Sequence, residues 1–327
     1  MKRYFLLVML VAASIMDLRA QDPQFTQFYA NPLYLNPAFA GSARCSRFIL
    51  NYRNQWPAIP GNFVTYSASW DQHFDAISGG VGFLATNDVA GDGTLITTNF
   101  SGLYSYHLPV NRYFSLKAGF QATFGSRRLD RSKLTFPDQI DARYGFIYET
   151  QQWSAFGAQP PQILARNFVD FSAGVLGYSD RFFFGVAAHH LTRPDQSFLP
   201  GATSVLPMKL TGHLGAVIPL GRKSRYSEPA RLSPNILYQR QQDFQQLNVG
   251  MYFQKAPFVA GLWYRNRDAA IALVGIQQGL FKLGYSYDIT ISPLTQATAG
   301  AHEISFAMQL ECKPKKKRFR TINCPSF

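Results

Sequence analysis

The sequence predicts an all-β protein, an antiparallel transmembrane β-barrel of about 14 strands with a plug-like N-terminal segment. Three observations carry this. From about Arg47 to Leu310, segments of roughly ten residues alternate apolar and polar positions, with turns or loops between them. After an apolar leader, no stretch is apolar enough to span as a helix, which needs about 20 residues. The chain is 15% aromatic, with 28 Phe and 17 Tyr, yet only 16% charged. Soluble domains carry about 25% charged residues, so a secreted β-sandwich is the weaker alternative.

Residues 1–20 read as a secretory signal peptide. Lys2 and Arg3 form its charged start, Tyr4 to Ser14 its apolar run, and Ala20 the cleavage residue. The run is too short for a membrane anchor. No Cys sits near the cleavage site, which argues against a lipoprotein.

Residues 21–46 do not alternate. Pro23, Pro32 and Pro37 remove backbone donors and argue against regular structure. Gln24, Gln27, Asn31 and Asn36 suit hydrogen bonds to a polar lumen. Phe25, Phe28, Tyr29, Tyr34, Leu35 and Phe39 are unlike a disordered leader. An ordered plug inside the barrel is the expectation.

The barrel itself is expected over 47–310. Its strands read as 47–55, 62–72, 78–87, 95–106, 113–124, 168–178, 181–190, 207–220, 231–240, 244–254, 257–265, 269–277, 280–288 and 302–310. In 62–72, Val64, Tyr66, Ala68 and Trp70 oppose Thr65, Ser67, Ser69 and Asp71. In 244–254, Leu247, Val249, Met251 and Phe253 oppose Gln246, Asn248 and Gly250. In 302–310, Ile304, Phe306, Met308 and Leu310 oppose Glu303, Ser305, Ala307 and Gln309. Segment 181–190 is apolar on both faces and reads less cleanly. An even strand count puts both chain ends in the periplasm and the longer loops outside. The longest loops, 125–167, 191–206 and 289–301, then all fall outside. The one longer periplasmic turn is basic, at 221–230.

The net charge is +13, and removing Lys2, Arg3, Asp17 and Arg19 with the leader lowers it to +11. Lys313, Lys315, Lys316, Lys317, Arg318 and Arg320 concentrate charge in a periplasmic tail, 311–327. Export excludes nucleic acid as the partner and leaves an acidic protein or the membrane surface. Export also permits disulfides. Cys312 and Cys324 bracket the tail and could close it into a loop, with Cys45 able to compete for either one.

No catalytic constellation is visible. There is no Walker loop, dinucleotide fingerprint or nucleophile elbow. His189 and His190 are strand neighbours expected on opposite faces, as are His302 and Glu303. His73, His107 and His213 lack ligand spacing. No cofactor or metal is expected. Candidate lumen residues are Asn51, Arg53, Asn54, Gln55, Trp56 and Asp71. Arg53 and Asp71 lie on neighbouring strands, where an inward ion pair is reasonable.

The start of the mature chain, QFTQFYANPLYLNPAFAG, followed by NYRNQWP and TYSASWDQ, resembles the PorP/SprF family of Bacteroidetes outer-membrane proteins. LTFPDQID at 134–141 and the ending KPKKKRFRTINCPSF are similar to that family too. The resemblance covers essentially the whole mature chain. It implies a non-enzymatic outer-membrane accessory of type IX secretion. Such a protein binds cargo carrying a particular C-terminal domain, including gliding adhesins, and meets a periplasmic peptidoglycan-associated partner. On this reading Asn31, Asn36, Pro37, Asn51, Arg53, Asn54 and Asp71 form a plug and lumen network. Phe136, Tyr144, Tyr148 and Trp153 in the large external loop would meet cargo, aromatic residues being enriched at interfaces. Lys315, Lys316, Lys317, Arg318 and Arg320 would meet the periplasmic partner. Phe327 resembles the aromatic terminus used in barrel assembly but lies far beyond the last strand. Two other readings compete. One is a channel for hydrophobic or small solutes, since other plugged barrels transport. The other is a lipid-modifying barrel enzyme, which needs a lipid-facing nucleophile–His pair.

Overall fold

The computed structural model describes residues 22–141, 143–151, 161–221, 229–291 and 299–311. Among these, the antiparallel strands form a closed 14-strand barrel. In chain order the strands are β1 (Arg47–Gln55), β2 (Phe63–Phe74), β3 (Gly79–Ala90), β4 (Leu95–Pro109), β5 (Phe114–Asp130), β6 (Ile163–Ser179), β7 (Phe182–His189), β8 (Lys209–Ala216, resuming at Ile218–Leu220), β9 (Ala230–Gln241), β10 (Phe244–Lys255), β11 (Phe258–Arg265), β12 (Ala269–Gln278), β13 (Phe281–Thr290) and β14 (Ala301–Gln309). Each expected strand is present. Closure comes from β1, which pairs with both ends of the meander: Asn51 stands opposite Ser67 of β2 and Ser305 of β14. Closing the sheet satisfies backbone groups that a bilayer cannot. The break in β8 falls at Val217, whose N–H turns to the Arg181 carbonyl at 2.6 Å.

The alternation places side chains as the period of two demands. On β14, Glu303, Ser305 and Ala307 are buried inward, while Ile304 and Phe306 face out. The outer wall carries Phe83, Phe100, Val186, Leu262 and Val274, each more than half exposed in the absence of lipid. Such a continuous apolar band belongs in a membrane.

Two expectations change. The large external loop is 131–162 rather than 125–167. Ladder pairing continues past Gly125 to Asp130 opposite Ile163, so β5 and β6 reach 17 residues against 9 in β1. That hairpin rises above the rest of the rim. The lumen is also less polar than expected. Leu103, Leu176, Phe183, Leu237, Tyr252, Trp263, Ile271 and Leu273 point inward and form one buried cluster with Phe28, Tyr29, Leu33 and Phe39 of the N-terminal segment. The hydrophobic core of this protein therefore lies inside the barrel. This explains why 181–190 reads as apolar on both faces: Phe182 and Phe184 meet the outside, while Phe183 packs edge-on against Tyr29 at 5.4 Å.

Candidate functional site

The N-terminal segment occupies the lumen lengthwise. It enters near the long-loop rim at Asp22 and leaves at the opposite, short-turn rim, where Ser46 leads into β1; on the orientation expected from loop lengths the first rim is the external one and the second the periplasmic one. It holds three short turns, Phe28–Ala30, Pro32–Leu35 and Pro37–Phe39. Pro32 and Pro37 do not simply forbid structure. Each sits at the first position of a turn, where its fixed φ is favourable and its missing N–H costs nothing. So little regular structure leaves many backbone groups in need of partners, and the barrel wall supplies them at three levels.

At the external level Asp22 meets residues at the ends of three strands. His190 Nε2 lies 2.7 Å from its carboxylate and Lys209 Nζ 3.4 Å, and the Asp22 N–H donates to Gln241 at 3.2 Å. His190 also meets Asp170 through Nδ1 at 2.7 Å. Burial alone would lower the His190 pKa, but the two carboxylates outweigh it and push it up to about 9. Burial would raise Asp22, yet His190 and Lys209 hold it well below the usual carboxylate range. The expected opposition of His189 and His190 does not occur. β7 ends at His189, and a positive φ of 59° at His190 turns its ring toward the lumen as well.

At the middle level Glu303 is fully buried and receives the backbone N–H of Thr26 at 2.6 Å and of Gln27 at 3.1 Å. Gln27 returns a bond to the Glu303 carbonyl and accepts from Ser305 at 2.6 Å. Arg53 joins Glu303 at 3.3 Å and Asp288 at 2.9 Å, and donates to the Thr26 hydroxyl. Arg265 also meets Asp288 at 3.3 Å. Two carboxylates and two guanidinium groups thus compensate one another, which buried charges require. Beneath them Asn31 donates to Ser67 at 3.0 Å, and Phe28 packs edge-on to Trp263 at 5.0 Å.

At the periplasmic level the run Asn36–Gly41 lies against wall glycines. A Cβ on Gly119 would stand 2.3 Å from the Ala38 nitrogen, and one on Gly174 would stand 2.1 Å from Asn36 Oδ1. Only glycine admits so close a backbone. Asn36 caps its own turn through Ala38 N and donates to the carbonyls of Val175 and Val186. The Ala40 carbonyl accepts from Lys117 at 2.5 Å and Ser105 at 2.6 Å. The Gly41 N–H donates to Asp71 at 2.8 Å, which forms a two-pronged pair with Arg47.

Of the residues expected in that network, Asn31, Asn36 and Asp71 make contacts between segment and wall and Arg53 meets Thr26, while two positions depart from the expectation. Arg53 and Asp71 do not pair. Antiparallel register sets Asp71 opposite Arg47 and Arg53 opposite Thr65, so they serve different levels of the segment, Arg53 the middle and Asp71 the level of Gly41. Asn54 is not in the lumen, because its neighbour Arg53 is. It shares the outer parity of Tyr52 and accepts from Asn62 at 2.9 Å. Asn51 is buried on the inner wall, while Asn31, Asn36 and Pro37 line the segment. Glu303, Asp288, Arg265, Arg47, Lys117 and the glycines were missed as partners. An inward charge within an alternating strand was the available signal.

In the external loop, Tyr144 and Tyr148 are exposed, beside Ile140, Phe146 and Ile147, while Phe136 is half-buried. Tyr148 donates to Asp141 at 3.1 Å. Trp153, the tail residues Lys315, Lys316, Lys317, Arg318 and Arg320, and Cys312 and Cys324 lie outside the described residues, as does the leader. Cys45 is disulfide-bonded. Among the described residues no group of three His, Cys, Asp or Glu side chains is placed to hold a metal ion. Above the segment, on the external side, the lumen opens into a cavity of about 640 Å³.

A family model for the type IX secretion system membrane protein PorP/SprF matches residues 18–308. The chain belongs to the PorP/SprF family. Membership and the barrel together place it as an integral outer-membrane protein of type IX secretion. No curated protein matches it in sequence. Among solved structures it is similar to the Ralstonia pickettii toluene transporter TbuX, at 10% identity and TM-score 0.52, covering 87% of this chain and 95% of that one. It also matches the P. putida toluene transporter TodX, at 10% identity and TM-score 0.45, covering 85% and 93%. A Pseudomonas aeruginosa FadL homologue matches at 11% identity and TM-score 0.44, covering 88% and 96%. At 10% identity the likeness to TbuX speaks to the barrel fold and not to a substrate.

Proposed function

We propose that this PorP/SprF barrel is a non-enzymatic accessory that binds exported cargo through the cargo's C-terminal domain. It holds the cargo at the outer face and couples it to periplasmic machinery. The N-terminal segment acts as a plug, so the barrel works by binding rather than by conduction. The observation that carries this reading is the three-level anchoring of residues 22–41 by buried charges and wall glycines. A lumen filled by a fixed segment suits a scaffold. The external loop, with exposed Tyr144, Phe146, Ile147 and Tyr148, is the cargo-facing surface. The basic tail steers an acidic face of a peptidoglycan-associated partner.

An affinity pull-down of the tagged barrel from its native outer membrane tests the proposal. Recovery of an exported protein through its C-terminal domain, reduced by Tyr144→Ala and Tyr148→Ala, supports it. Replacing Lys315, Lys316 and Lys317 by Ala should lower recovery of the periplasmic partner and leave barrel assembly intact. Recovery of the barrel alone, under conditions that preserve other envelope complexes, contradicts the proposal.

A further inference from the structure

The β4–β5 and β6–β7 turns stand side by side at the short-turn rim, because Phe114 is opposite Ser179 in the β5–β6 ladder. Each presents an arginine. Arg112 lies in the first turn, which Asn111 fixes by accepting the N–H groups of Tyr113 at 2.7 Å and Phe114 at 2.8 Å. Arg181 lies in the second. Its N–H donates to the Ser179 hydroxyl at 3.3 Å, and its carbonyl accepts the Val217 N–H at the break in β8. Both backbones are held, while both guanidinium groups are exposed and bond to no described residue. Asp180, the one carboxylate in the two turns, has a partner other than these arginines.

Below the arginines the outer wall is aromatic. Tyr113, Phe182 and Phe184 are exposed, and the Phe114 and Phe184 rings stack at 6.1 Å with 16° between their planes. The stack lies over Gly177, where a Cβ would come 2.6 Å from the Phe184 ring and 2.9 Å from the Phe114 ring. Glycine lets both rings lie close to the wall. Leu108 and Val110 extend the apolar surface. This is the edge of the membrane band. Aromatic rings favour the boundary between hydrocarbon and headgroups, and long basic side chains reach from it into the polar layer. Arg47 and Arg53, inside the barrel, pair with carboxylates of this protein. Arg112 and Arg181 have none, and they stand at the depth where lipid phosphates lie.

We infer that the two turns form a binding site for an anionic phospholipid of the leaflet on this side, the periplasmic one on the orientation expected from loop lengths. The arginines donate charge-assisted hydrogen bonds to the phosphodiester, and an acyl chain lies along the Phe114–Phe184 stack. A zwitterionic headgroup brings its own ammonium to the phosphate and gains less from two cations. A soluble acidic protein could meet the arginines but not the aromatic surface, which the bilayer covers. The site is on the wall outside the lumen, so the inference depends on neither the plug nor cargo binding.

Native mass spectrometry of the detergent-purified barrel, titrated with one lipid at a time, tests it. The probes are phosphatidylglycerol, cardiolipin, phosphatidylethanolamine and lipid A, the last carrying phosphates of the opposite leaflet. Phosphatidylglycerol or cardiolipin should bind at least about fivefold more tightly than phosphatidylethanolamine. A basic side chain near an anionic bilayer surface contributes about that factor. Arg112→Gln and Arg181→Gln should therefore each weaken anionic lipid about fivefold, and the double variant should abolish the preference. Arg240→Gln, outward at the other rim, should leave it unchanged. Heat-dependent gel mobility checks that each variant is folded. Equal binding of anionic and zwitterionic lipid overturns the inference. So does a preference that survives the double variant, or one that Arg240→Gln removes as well. Tighter binding of lipid A than of both anionic phospholipids, or displacement of the lipid by a soluble acidic decapeptide, overturns it too.

Discussion

Glu303→Gln should loosen the N-terminal segment while leaving the barrel closed. Glu303 is fully buried and accepts hydrogen bonds from two backbone N–H groups of the segment and from the Arg53 guanidinium. Glutamine keeps the volume and one acceptor oxygen but loses the charge, and its amide cannot accept the second N–H. Hydrogen bonds to a charged group contribute about 1.5–3 kcal/mol each. Arg53 keeps Asp288 at 2.9 Å, so it is not stranded. The expected loss is about 3 kcal/mol, read on the segment and not on the strands. Hydrogen-exchange mass spectrometry of the detergent-solubilised protein reports it. Amides of residues 24–33 should exchange about 100-fold faster, since each 1.4 kcal/mol is tenfold, while β13 and β14 stay protected. Arg53→Ala should cost more, because it leaves Glu303 as a buried charge with no cation. Unchanged exchange in 24–33 would refute the anchoring argument. So would equal loss of protection throughout the barrel.

Three further outcomes follow from the same geometry. Gly119→Ala and Gly174→Ala should each weaken the periplasmic seat by about 1–3 kcal/mol, because the new Cβ meets backbone or a capping Asn; faster exchange in 36–41 would show it. The Asp22–His190 contact should respond to pH. His190 is raised to about 9 from 6.5, so its stabilisation is complete below about 6.5 and lost as pH rises through 9. Asp22 is lowered, so its part is present above about 4 and lost on acidification. A spin label at residue 24 should therefore be least mobile between those limits, and His190→Ala should flatten the profile. Finally, Asp22 sits at the long-loop rim, so a biotin attached at residue 22 should bind externally added avidin on intact cells. Labelling only after outer-membrane rupture would invert the orientation.

Much of the fold was legible because a barrel strand repeats one rule, inward polar and outward apolar, and each strand is read by itself. The limits of that rule are physical. Where the wall packs on the N-terminal segment, as at Phe183, Trp263 and Ile271, both faces turn apolar and the alternation fades. At the β5–β6 hairpin the strands outlast the membrane, so polar residues on both faces read as loop. The N-terminal segment was recognisable by its aromatic and amide content. Its partners were not, since Thr26 and Glu303 are 277 residues apart and only barrel closure brings them together. Register likewise decides that Asp71 belongs to Arg47 rather than Arg53, and a single strand does not encode register.

Planar-bilayer conductance of the intact barrel beside a variant lacking residues 24–41 bears most directly on the central proposal, that the N-terminal segment closes the barrel and the protein works by binding. The account predicts a silent intact protein and a conducting deletion variant, with Glu303→Gln giving intermittent openings. Steady conductance of the intact protein, matched by the deletion variant, would contradict it and favour a solute channel.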